Sequence, residues 1–261
     1  MKLSIITINY NNKIDLIKTI ESTLSQTWTD FEYIIIDGGS TDGSPEVIES
    51  YKSHLSYWVS EPDNGIFHAI NKGIEQAKGD YLLILNAGDV LKESDILFRT
   101  FGQTDYNEGI LYGNVVLESK GAIIGQKVFS QPITFDFFRR TSISHQGTFV
   151  KRTLHSLVGM YDENLKFSSD WKFFLLCFCK YNVSVRHLDM FIATCNCDGL
   201  TWNPKHFPAI RNEMLTVMKA HFPAFIEDYS SFDKLRNRKN IFQKAFNYTR
   251  KSLRYILSNK K

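Results

Sequence analysis

Asp63 to Asp89 reads DNGIFHAINKGIEQAKGDYLLILNAGD, a helix, a buried strand and an acidic turn in direct succession. Asn64 to Lys78 sets Ile66, Ala69, Ile70, Gly73, Ile74 and Ala77 on one side, the spacing of a helix with one apolar face. Tyr81 to Leu85 is a short apolar run and reads as a buried strand. It stops at Asn86-Ala87-Gly88-Asp89.

The same alternation extends toward the N-terminus. Leu3 to Ile8 and Phe31 to Ile36 are apolar strands, and Leu55 to Val59 is a third short one. Lys13 to Gln26 has helical spacing at Ile14, Ile17, Ile20 and Leu24. Asp42 to Tyr51 is helical, with Pro45 tolerated in its first turn. Strands alternating with helices imply a mostly parallel sheet covered on both faces. Ligands of such sheets bind outside the carboxyl ends of the strands. Three polar clusters stand at those ends: Thr7-Ile8-Asn9, Asp37-Gly38-Gly39-Ser40 and Asn86 to Asp89.

The second half is less regular. Ile110 to Leu117 and Ala122 to Val128 read as a strand pair, Ser144 to Val150 and Val183 to Ile192 as further strands, and Asp170 to Tyr181 as a helix. Asp198 to Pro208 is a polar loop, and the pattern from Ile210 onward is helical.

Composition bounds the rest. With 43% apolar and 23% charged residues, 261 residues suit one large domain, or a domain with an appendage. The apolar run after Met1-Lys2 is six residues long, short of a leader's apolar region, and no stretch approaches the ~18 residues of a membrane span. The expectation is a cytoplasmic protein. The four cysteines form two C-x-C pairs, Cys177/Cys179 and Cys195/Cys197, and reduced buried thiols are the better reading than a metal site. The net charge of +3 is uneven: Lys234 to Lys261 carries ten Lys/Arg and no Asp/Glu, which leaves the remaining chain at −7. An acidic body with a basic tail argues against a nucleic-acid partner and for peripheral contact with an anionic membrane through 234–261. The tail's helical spacing also fits a helix packed on the body.

Each polar cluster has a bland reading and a chemical one. Asp37 before two glycines is a turn cap, or an acceptor for a nucleobase N–H or a ribose hydroxyl. The cluster at Asn86 to Asp89 is a simple turn, or a place for a hard divalent cation bridging to phosphate. Asp63 or Asn64 caps the following helix. Asp170, at a helix start beside Trp171, is another cap or a general base. His145 is structural, or a contact to a sugar hydroxyl or phosphate.

Taken together, these pieces resemble the family 2 glycosyltransferases of the GT-A fold. The match lies in the order and spacing of SIITINYNN (Ser4 to Asn12), the Ser22 to Thr27 segment, DGGSTDGS (Asp37 to Ser44), the Asp63 to Asp89 stretch and GMYDENLKFSSDW (Gly159 to Trp171). It covers roughly residues 2 to 200, and the variant looks similar to enzymes of bacterial surface-polysaccharide assembly.

The resemblance implies an α/β, Rossmann-like GT-A domain over 1–205, with a nucleotide-binding half at 1–100, an acceptor-binding half at 101–205 and a helical, basic extension at 206–261. It implies an inverting enzyme that moves a sugar from a nucleoside diphosphate, UDP before GDP, to a hydroxyl of a glycan or lipid-linked acceptor on the inner face of a membrane. Thr7, Asn9, Asp37, Asn71, Lys72, Asn86, Ala87 and Gly88 would then hold the nucleotide sugar, Asp89 would bind Mg²⁺ or Mn²⁺, and Asp170 would be the base. His145 fits the pattern without an assigned role. The departure is Asn86, which stands where the family's D-x-D motif has its first acid. It keeps open a rival reading, a binding module with a degenerate metal site. A nucleotidyltransferase, the other rival, would carry a glycine-rich basic loop after the first strand, and Asn9 to Lys13 has no glycine.

Overall fold

The computed structural model describes residues 1–129 and 133–228. The basic segment 234–261 lies outside the described residues. The chain divides into two units, Met1–Arg211 and Asn212–Lys261.

The first unit opens with β1 (Leu3–Asn9), α1 (Lys13–Leu24), β2 (Phe31–Asp37), α2 (Ser44–Ser50), β3 (Tyr57–Ser60), α3 (Ile66–Gln76) and β4 (Tyr81–Asn86). These match the alternating pattern read from the sequence within two residues or so at most ends. The strand pairs β1–β2, β2–β3 and β1–β4 are all parallel. Side chains alternate along β1. Leu3 and Ile5 join the buried cluster formed with Leu16 and Ile20 of α1 and Ile48 of α2. Ile6 points the other way, toward α3. Gly73 of α3 has no Cβ there for a reason: one would stand 2.4 Å from Ile6 Cγ2. Both faces of the parallel part are therefore covered, as fully apolar strands require.

The chain continues through β5 (Val90–Leu91), α4 (Ile96–Phe101), β6 (Ile110–Ser119), β7 (Ala122–Lys127), α5 (Phe135–Arg140), a 3₁₀ turn at His145–Gly147, β8 (Thr148–Lys151), α6 (Leu154–Val158), α7 (Ser169–Cys179) and β9 (Val185–Asn196). All nine strands form one sheet in the order β3-β2-β1-β4-β8-β6-β9-β5, with β7 also on β6. The parallel arrangement is confined mainly to the first half. β8 runs antiparallel to both β4 and β6, β7 to β6, and β5 to β9, while β6 and β9 are parallel. The expected strand at Ser144 to Val150 begins only at Thr148, because His145–Gly147 closes a 3₁₀ turn.

The expected loop at Asp198 to Pro208 is wound into two short 3₁₀ turns, Leu200–Trp202 and Pro204–His206. A final helix, α8, spans Phe207–His221. Among the described residues no helix is long and apolar enough to cross a membrane. All four cysteines are free thiols. Burial pushes Cys177 up to about 12 and Cys179 and Cys197 to about 11, so none is poised as a thiolate.

Candidate active site

Strand order reverses between β1 and β4, and the polar ends of β2, β1 and β4 stand side by side at that point. Asn9 pairs with Asp37 across β1–β2, and Ile8 with Asn86 across β1–β4. A crevice at the carboxyl ends beside such a reversal is the ligand position of open α/β sheets.

The first cluster is built around Asp37. Its carboxylate has no exposed surface. Oδ1 accepts from Asn9 Nδ2 at 2.7 Å and Ser40 Oγ at 2.6 Å; Oδ2 accepts from Ser40 N at 2.9 Å and Ser60 Oγ at 2.6 Å. These four donors tie the ends of β1, β2 and β3 into one turn. Ser40 Oγ accepts from Asn11 N at 2.7 Å, and Asn11 Oδ1 accepts from Thr41 N at 2.8 Å. Thr7 is also fully buried, one alternation below Asn9, and its hydroxyl meets Tyr33 Oη at 3.0 Å. Thr7, Asn9 and Asp37 thus lie buried together toward the carboxyl ends of β1 and β2.

Asn71 and Lys72 lie on α3. Asn71 donates to Tyr161 O at 2.9 Å and Glu163 Oε1 at 2.8 Å, and accepts from Tyr161 N at 3.0 Å. Lys72 Nζ donates to Glu61 Oε1 at 2.7 Å. The expected cap at Asp63 or Asn64 is displaced: Gly65 occupies the N-cap of α3, and Asp63 Oδ1 accepts from Gly65 N at 2.8 Å.

The second cluster joins β4 to the second half of the unit. Asn86 Nδ2 meets His145 Nε2 at 3.2 Å, and His145 Nδ1 meets Asp170 Oδ2 at 3.1 Å. An amide nitrogen only donates, so Nε2 accepts and Nδ1 carries the hydrogen given to Asp170. Asp170 Oδ1 accepts from Trp171 N at 2.7 Å at the start of α7. His145 and Asp170 remain 17% and 24% exposed, enough for a ligand to reach them.

Asp89 faces the other way. It is 1% exposed, and its carboxylate accepts from two backbone amides, Asn86 N at 3.0 Å and Asn196 N at 2.9 Å. Gln146 adds a side-chain hydrogen bond. Burial nevertheless raises the carboxyl to about 6, against these hydrogen bonds, which pull it down. Thr19 of α1 braces the turn from below: its hydroxyl donates to Asp89 O at 2.8 Å and accepts from Gly88 N at 2.9 Å. Ala87 N donates to Ile8 O at 3.0 Å. Gly88 sits at φ +105°, and a Cβ there would stand 2.4 Å from Asn196 Nδ2.

With this geometry in place, residues 4–101 match the family described as Glycosyl transferase family 2. The segment from β1 to α4 thus carries that family's domain. It is 29% identical over 182 residues to the PGL/p-HBAD biosynthesis glycosyltransferase of Mycobacterium bovis, covering 68% of this chain and 70% of that one. It is 33% identical over 97 residues to the glycosyltransferase GlyG of Streptococcus pneumoniae, covering 36% and 32%. Among solved structures, residues 1–349 of S. aureus TarS in complex with UDP-GlcNAc superpose with a TM-score of 0.65 at 18% identity, over 84% of this chain and 67% of that one. The mannosyltransferase PcManGT of Pyrobaculum calidifontis, in complex with GDP-Man and Mn²⁺, gives 0.59 at 16% identity, over 81% and 60%. The GT-A fold is thereby shown.

The expected Mg²⁺ or Mn²⁺ site can be tested on its donors. Asp89 does not serve as a ligand in this geometry, because both its oxygens are turned inward onto backbone N–H groups. Counted from Asn86, the second acid of a D-x-D motif falls on Gly88, which has no side chain. Among the described residues no group of three or more His, Cys, Asp or Glu is arranged to hold a metal ion. One neutral amide at Asn86 and a carboxylate already engaged by His145 do not replace the missing acids. The residues present do not fit a carboxylate-held divalent cation.

Three contributors escaped the sequence reading. Thr19 and Asn196 support the Asn86–Asp89 turn from elements distant in sequence, and a single polar residue on a helix or at a strand end gives no signal of that. Lys127 closes β7, half-buried, with its ammonium 5.5 Å from the centre of the Phe129 ring. Burial lowers its pKa, and Asp170 is among the groups that favour its charged form.

Proposed function

We propose that the protein is an inverting glycosyltransferase that moves a sugar from a nucleoside diphosphate sugar, a UDP-sugar before a GDP-sugar, to a hydroxyl of a glycan or lipid-linked acceptor. The observation that carries this reading is the Asn86–His145–Asp170 chain at the carboxyl end of β4, beside the buried Asn9–Asp37 pair, in a protein whose residues 4–101 match family 2.

The nucleotide lies on the turn that Asp37 and Asn9 hold rigid, with Thr7 beneath them. Asn86, Ala87 and Gly88 face the sugar and ribose, and the small residues let the ligand approach the backbone. Asn71 and Lys72 lie on α3, which helps close the pocket. Asp170 accepts the proton of the acceptor hydroxyl as its oxygen bonds to the anomeric carbon. The bond from that carbon to the β-phosphate oxygen breaks on the opposite side, and the nucleoside diphosphate leaves with the electron pair. One displacement inverts the anomeric centre. The charge on the departing diphosphate falls to protein groups, Lys127 foremost, since Asp89 is not available to a cation.

The basic segment 234–261 supports a lipid-linked acceptor. The test is calorimetric binding of a panel of UDP- and GDP-sugars to the full chain, in EDTA and in Mn²⁺. One donor should bind in both media, with an affinity unchanged within a few-fold by Mn²⁺. Binding that appears only with Mn²⁺ would overturn the reading of Asp89. Binding without transfer to any hydroxyl acceptor would favour the degenerate binding module.

A further inference from the structure

His145 is the one member of the site whose role neither the sequence nor the family comparison supplies. Its ring spans two elements that otherwise belong to different halves of the unit. Nε2 touches Asn86, at the end of β4, and Nδ1 touches Asp170, at the start of α7. The ring sits in the 3₁₀ turn that leads into β8, so its backbone is held by a strand hydrogen-bonded to β4 and β6.

Asp170 needs such a partner. Its residue is at the first turn of α7, where a carboxylate is free to rotate toward any of the unpaired helix N–H groups. Trp171 N takes Oδ1, and His145 Nδ1 takes Oδ2, so the carboxylate plane is set by two donors from different elements. The histidine can donate from Nδ1 only if its other nitrogen is an acceptor or is also protonated. Asn86 Nδ2 makes it an acceptor. A second feature of the same amide stands out: Asn86 Oδ1 is buried with no hydrogen-bond partner, so nothing else fixes which way the amide faces. The contact with the ring is what orients it.

We propose that His145 is a positioning residue for Asp170: Asn86 sets its tautomer, its Nδ1–H fixes the carboxylate plane, and the chain of three ties the base to the turn that faces the donor. The proposal rests on Asp170 being the base. It makes no contact between His145 and the donor diphosphate or the acceptor. The imidazole works through Asp170, and the base and the β4 turn keep one separation while the ligand is bound.

Two substitutions divide the ring into its two halves. His145→Asn keeps a donor at the Nδ1 position and removes the Nε2 link; His145→Gln keeps a donor and acceptor near Nε2 and removes the Nδ1 link. Steady-state kinetics would be measured for both, with calorimetric donor binding and thermal melting as controls and Asp170→Asn alongside. His145→Gln should lower kcat by 10-fold or more with the donor Kd unchanged. His145→Asn should recover most of that loss. Equal losses in the two variants accompanied by equal drops in melting temperature would reduce His145 to a packing residue. A changed donor Kd would make it a ligand contact and overturn the proposal. If Asp170→Asn retains full turnover, the base itself is misassigned. If Asp170→Asn is inactive while both His145 variants are wild-type, the base stands and only the positioning role falls.

Discussion

At the scale of single residues, two carboxylates a short distance apart are put to opposite uses by their surroundings. Asp170 keeps 24% of its side chain exposed and lies at a helix start, so a substrate hydroxyl can reach it. Asp89 is sealed against backbone amides and holds a turn. Replacing Asp170 with Asn keeps its shape and removes its basicity; kcat should fall by about 10² to 10⁴-fold while donor binding, read by calorimetry, stays put. An unchanged kcat would remove Asp170 from the chemistry. The sequence made Asp170 and Asn86 candidates for the site because each lies in a recognisable segment. It assigned the metal to Asp89 because spacing along a chain does not reveal which way a side chain turns. That direction is set by Asn196, more than a hundred positions away, whose backbone N–H draws the carboxylate inward.

At the scale of elements, the parallel half was legible almost throughout. β1, β2 and β4 are apolar on both faces and α3 carries a clean 3.6-residue stripe, whereas α1, read from Ile14, Ile17, Ile20 and Leu24, buries Leu16, Thr19, Ile20 and Thr23 and leaves Ile14 exposed. The pieces that were missed are short: β5, α4 and α6 have two, six and five residues. Their form comes from what they pack on, since helices of that length have little stability alone. The same applies to the turn at His145–Gly147, read as strand because its neighbours are. What joins the two halves is also invisible to periodicity. Asn71 is a polar residue on the buried face of α3, and it makes three hydrogen bonds to Tyr161 and Glu163. Asn71→Leu should fit the space yet strand the Tyr161 N–H and C=O, at about 1–3 kcal/mol for each group left without a partner. Urea unfolding monitored by tryptophan fluorescence would measure this, and a variant as stable as wild type would mean that water or a shifted Glu163 replaces the amide.

At the scale of the whole molecule, two buried groups give stability an opposing dependence on pH. His155 is stacked on Phe173 with centroids 4.6 Å apart, and burial lowers its pKa to about 4. Between pH 6.5 and 4 the unfolded chain takes up a proton there that the folded chain refuses, so this contribution is complete above 6.5 and lost as pH falls. Asp89 does the reverse. Its folded pKa of about 6 lies above the ordinary carboxyl value of 3.8, so stability is lost as pH rises through that interval. His155→Leu removes only the first effect. Relative to wild type, the variant should gain about 2 kcal/mol as pH drops from 6.5 to 4.5, measured by urea unfolding at both values. A constant difference across that range would show that His155 titrates normally in the folded chain.

Gly88 carries a consequence for any acid placed at its position. Its backbone lies in a left-handed region, and the place where a side chain would begin is filled by Asn196. A mutation that put an acid at position 88 would meet both obstacles at once, and only a change at position 196 would clear one of them. An acid at position 88 would therefore need both a strained backbone and a displaced Asn196 side chain.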